Sequence, residues 1–169
     1  MTGTAESRST EHVVAVLRER MYGAISCLAT LAALARYTTD DTSGWVRVLD
    51  VAVAAGGLWA AALFAEFIAR LGAEGRAPRG RDAAHMLAAS GQILQAAAVP
   101  VLILVVAALG LLDTTDAVWF AMWFLVAEMA LIAFAAVRKT GLPWWQRLLA
   151  VTLLAGAGAA VVAVKMIAH

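Results

Sequence analysis

Five long apolar runs separated by short polar turns constrain this chain more than any other feature. They lie at about 13–36, 46–71, 83–112, 117–137 and 146–168. Each approaches or exceeds the ~20 residues that an α-helix needs to cross a ~30 Å hydrocarbon core. In lipid a backbone must satisfy its own N–H and C=O groups, so runs of this length read as helices. Only 15% of the 169 residues are charged, against ~25% in a soluble domain. The expectation is an all-α, polytopic membrane protein with five transmembrane helices in one domain, residues 10–169. Residues 1–9, MTGTAESRS, are polar and small and read as a disordered arm.

The basic residues set a direction. Arg8, Arg18 and Arg20 precede or open the first run, and Arg70, Arg76, Arg79 and Arg81 flank the loop after the second. Arg138, Lys139 and Arg147 flank the loop after the fourth. These three segments fall on one side of the bilayer and hold ten of the thirteen Lys and Arg residues. The positive-inside bias then predicts a cytoplasmic N-terminus and an extracytoplasmic C-terminus in a cell inner (plasma) membrane. No cleavable signal peptide is expected, because the first apolar run continues as a full span.

Several function classes find no support. A net charge of +1 gives no bulk attraction for nucleic acid. One cysteine, Cys27, cannot form a disulfide framework within the chain. No Walker loop, HExxH or GxSxG is present. An enzyme is not expected, and neither is a resident cofactor.

Polar groups inside the runs are therefore the informative residues. Charges at membrane depth are costly and usually face a protein interior or a cavity. Tyr22, Ser26 and Thr30 repeat every four residues and form one helical stripe. Glu66, in GGLWAAALFAEFIAR, lies four residues, or ~6 Å, from Arg70 at the cytoplasmic edge. Glu128 lies ~16 Å deep, with no basic residue one turn away on its own helix. Gln92 and Gln95 sit near mid-depth in the third run, and His85 at its start. A cytoplasm-side layer of Tyr22, Ser26, Glu66 and His85 above a central layer of Thr30, Gln92, Gln95 and Glu128 would form a polar route. Simpler roles exist for most of them. Glu66 and Arg70 are at i and i+4, a favourable ion-pair spacing. Small polar residues and glutamines also serve as helix contacts, as does the small-residue pattern at 54–57 and 155–160.

The first run reads RERMYGAISCLATL, the second ends ALFAEFIAR, and Gly91 and Pro100 follow in the third. Together with the two tryptophans, Trp144 and Trp145, after a basic loop, this pattern resembles the vacuolar iron transporter family. Arg18, Glu19, Gly23, Ala24 and Leu28 match the family's first-span pattern, and Glu66 matches its second-span glutamate. The resemblance implies a five-span bundle, a homodimer, and Glu66 as a metal-contacting residue with a divalent cation as substrate. Ser26 stands where the family carries an aspartate, and a short basic loop replaces its glutamate-rich metal-binding region. The resemblance thus bears more on fold and dimerisation than on iron.

Two functions follow as expectations. One is a transporter-like homodimer moving a cation or proton through Glu66 and Glu128, with Tyr22, Ser26, Thr30, Gln92 and Gln95 lining the path. The other is a membrane protein with a structural or partner-binding role and no transport.

Overall fold

The computed structural model describes residues 3–37, 43–138, 143–146, 148–149, 152–153 and 156. Their secondary structure is helical. Four long helices follow in order: α1 (Gly3–Tyr37), α2 (Gly44–Glu74), α3 (Arg81–Ala108) and α4 (Thr114–Arg138).

The first helix corrects one expectation. The arm at 1–9 reads as disordered, yet α1 extends back to Gly3. Ala5, Glu6 and Arg8 are good helix formers. Once the apolar segment has nucleated, each added residue gains a hydrogen bond without a second nucleation cost.

Local chemistry explains where the helices end. Gly75 closes α2 in the left-handed region at φ 65°, and its N–H donates to the Leu71 carbonyl at 3.0 Å. Glycine adopts that conformation without the Cβ penalty. Asp113 starts α4: its Oδ1 accepts from the Thr115 and Asp116 N–H groups at 2.8 and 3.2 Å. An aspartate there satisfies donors that have no intrahelical partner. Pro100 sits inside α3, which continues through it.

Packing follows a heptad. On α3 the buried residues Met86, Ser90, Ile93, Ala97, Pro100, Leu104 and Ala107 alternate spacings of four and three. On α4, Val118, Met122, Leu125 and Met129 do the same. This is the a/d seam of antiparallel bundles. Helices α1 and α3 each contact the three others, whereas α2 and α4 share no extensive contact, so they flank the α1/α3 pair.

Two glycines permit the closest approaches. A Cβ on Gly23 would lie 2.8 Å from the Ile93 Cα, and one on Gly44 would lie 2.9 Å from the Ala108 Cα. In the small-residue pattern at 54–57, Ala55 packs against the core, whereas a Cβ on Gly56 or Gly57 meets no atom within 4 Å, so those two glycines do not mark the close contact expected of them. Most of the pattern at 155–160 lies outside the described residues.

Among the described residues, three helices are long and apolar enough to cross a bilayer: α2, α3 and Thr114–Ala136 of α4. Helix α1 is long enough but more polar, since Arg18, Glu19, Arg20 and Arg36 bracket its apolar part. The fifth expected span, 146–168, lies mostly outside the described residues. Burial is uneven among the three: 11% of the apolar stretch of α2 is buried, against 33% in α3 and 50% in α4. Helix α2 docks through its N-terminal end, where Val48 and Val51 enter the core. Beyond that point Val53, Phe64 and Ile68 are exposed.

Candidate functional site: two glutamate–arginine pairs and a groove

Glu128 has a partner that helix-local spacing hides. It stands on the core face of α4, three residues after Leu125 and seven after Ala121. The Arg20 Nε donates to its Oε1 at 2.8 Å, and the Arg20 Nη2 lies 2.6 Å from the same oxygen. The Glu128 side chain is 9% exposed and that of Arg20 34%. Arg20 is on the buried face of α1, at i, i+3, i+4 and i+7 with Gly23, Ala24 and Cys27. Both nitrogens converge on one carboxylate oxygen, a charge-assisted contact that offsets much of the cost of burial. Arg20 is thus half-buried at the α1/α4 contact. Its spacing to Gly23, Ala24 and Cys27 is the signal that would have placed it there.

Glu66 takes the simpler of its two expected arrangements. Its Oε1 accepts from the Arg70 Nε at 2.7 Å, with the two side chains 38% and 34% exposed. Arg70 also reaches Glu74 at 3.8 Å, and Arg76 lies 3.3 Å from Glu74. Glu66 therefore belongs to a partly exposed ion-pair ladder at the end of α2.

A groove of about 500 Å³ opens between α1 and α2. Arg18, Glu19 and Tyr22 line it from α1. Leu58, Ala61, Ala62, Ala65, Glu66 and Ala69 line it from α2. Arg18 forms an ion pair with Glu19 at 2.8 Å. Arg18 and Arg20 are two residues apart, hence ~200° around the helix. The groove and the Arg20–Glu128 pair consequently lie on opposing faces of α1.

The two expected polar layers are not assembled as such. Tyr22 and Glu66 both line the groove. The other candidates do not line it. Ser26 and Thr30 are half-buried, and the Thr30 hydroxyl donates to the Ser26 carbonyl of its own helix at 3.0 Å. Gln92 is half-buried, while Gln95 and His85 are exposed on α3. The reason is rotational. A residue's depth follows from its place in the sequence, but the direction it faces is set by which stripe of its helix carries the larger apolar residues. Among the described residues, no group of three or more His, Cys, Asp or Glu side chains is arranged to hold a metal ion. Arg47 is 5% exposed at the start of α2.

Among the described residues these features are helices, three of them membrane-competent, with the Arg20–Glu128 and Arg70–Glu66 ion pairs and a groove with a charged rim. No family model, curated protein or solved structure matches the chain. The likeness to the vacuolar iron transporter family rests on the sequence residues named for it.

Proposed function

We propose that the chain is a five-span integral membrane protein of the plasma membrane that works by binding partners within the bilayer rather than by moving ions. Its N-terminus is cytoplasmic and its C-terminus extracytoplasmic, as the basic-residue bias supports. It is not an enzyme. The observation that carries this reading is that both glutamates at membrane depth are neutralised by arginines of the same chain. They do so on different helix interfaces, Glu128 between α1 and α4 and Glu66 along α2. A conducting path requires such groups to face a shared cavity. Partner binding is supported by α2, of whose apolar stretch only 11% is fully buried by the described residues. The partner is a second copy, in keeping with the dimeric family that the sequence resembles.

Cation or proton transport is the second reading. It is favoured by one observation, that Tyr22 and Glu66 both line the α1/α2 groove. Liposomes containing wild type, Glu66→Gln or Glu128→Gln separate the two. Proton and divalent-cation flux at the level of empty liposomes is expected for all three. Flux by wild type that either substitution abolishes would overturn the partner-binding reading.

A further inference from the structure

We propose that the α1/α2 groove is a binding site for one glycerophospholipid with a zwitterionic, primary-amine headgroup. The inference rests on the chain being membrane-embedded and is independent of whether it transports.

The groove has the polarity of an amphiphile. Along α2, Leu58, Ala62, Ala65 and Ala69 recur at spacings of four and three and so share one face. From Leu58 to Ala69 that face runs ~16 Å. Its deeper end is hydrocarbon only. Its other end, nearer the close of α2, is ringed by Arg18, Glu19, Tyr22 and Glu66. A site with an apolar trough and charges gathered at one end orients a molecule built the same way. Alanine side chains keep the trough open to the bilayer, so that about 500 Å³ holds the headgroup end of a lipid whose chains continue into the surrounding hydrocarbon.

The rim also states the headgroup charge. The lining holds one cation, Arg18, and two carboxylates, Glu19 and Glu66; Arg70, outside the lining, pairs with Glu66. A purely anionic head finds two carboxylates in its way. A phosphate esterified to a primary ammonium matches both signs. Arg18, whose side chain is 67% exposed, can turn its guanidinium to the phosphate. Glu66 can accept from the ammonium, which has three donors. A choline head carries the same charge but has no N–H to donate.

The groove is distinct from the outer face of α2. Phe64 and Ile68 are exposed and do not line it. Bulk lipid meets that outer face, whereas a lipid in the groove is held between two helices of one chain.

The full chain, solubilised from membranes and delipidated by detergent exchange, is titrated with phosphatidylethanolamine or phosphatidylglycerol. Bound lipid is counted by native mass spectrometry. Wild type is expected to retain one phosphatidylethanolamine in preference to phosphatidylglycerol. Ala62→Leu and Ala65→Leu fill the trough and abolish retention, whereas Ala60→Leu, at an exposed position outside the lining, leaves it unchanged. Glu66→Gln removes a charged acceptor and is expected to weaken phosphatidylethanolamine about tenfold. Equal retention of the two lipids by wild type would overturn the headgroup assignment. Retention by Ala62→Leu equal to wild type would overturn the site, leaving unspecific boundary lipid or a second protein copy in the groove. Recovery of the chain in the soluble fraction would instead overturn the membrane reading beneath it.

Discussion

Arg20 of α1 and Glu128 of α4 are 108 residues apart in sequence and joined at 2.8 Å in the fold. The contact ties the first helix to the fourth beside the α1/α3 pair. It also makes Glu128, a carboxylate with no basic residue one turn away on its own helix, part of the bundle.

Removing one partner leaves the other charge in a mostly buried place. Glu128→Gln or Arg20→Gln is expected to destabilise the protein by about 2–3 kcal/mol, below the fully buried range because Arg20 keeps some exposure. The double substitution Arg20→Met with Glu128→Leu recovers much of that loss. Thermal unfolding in detergent, arranged as a double-mutant cycle, measures the coupling. Additive effects would show that the pair does not hold α1 to α4.

The Glu66–Arg70 pair stands in contrast. Its two side chains are about one-third exposed and one helical turn apart. Glu66→Gln is expected to change stability by only ~0.3–0.5 kcal/mol. A melting shift as large as that of Glu128→Gln would mean that Glu66 is more enclosed than this geometry gives.

Gly23 and Gly56 are both helical glycines with opposite surroundings. Gly23→Ala places a methyl 2.8 Å from the Ile93 Cα, a backbone atom that moves only with its helix. A loss of about 1–3 kcal/mol is expected from this overpacking. Gly56→Ala meets open space and is expected to gain up to ~1 kcal/mol from helix propensity. Opposite signs in the same melting assay check the α1/α3 contact.

Asp113→Ala removes the side-chain acceptor for two N–H groups at the start of α4. A cost of ~1 kcal/mol is expected. Asp113→Asn keeps an acceptor and should restore most of it. Amide hydrogen exchange at Thr115 and Asp116 reports the change locally.

Reading the residues along the chain located α2, α3 and α4 to within a few positions. Apolar length, the DTTD turn and the glycine after α2 are local signals. The Glu66–Arg70 pair was legible for the same reason, since i and i+4 neighbours are set by helical pitch. The Arg20–Glu128 pair was not, because the two residues are on different helices; local spacing gives the face of Arg20 but not its partner. The glycines show the same division. Gly56 and Gly57 look like contact residues in sequence, yet Gly23 and Gly44 are the ones against neighbouring backbones.

The sequence by itself determined that the chain is helical and lipid-compatible, because backbone satisfaction and hydrophobic length are properties of each segment alone. It also determined which polar groups fall inside the apolar runs. Only the tertiary structure decided which way each group faces. That choice rests on how helix stripes interdigitate, and it sent Glu128 to Arg20 in the bundle while placing Glu66 and Tyr22 along a separate groove.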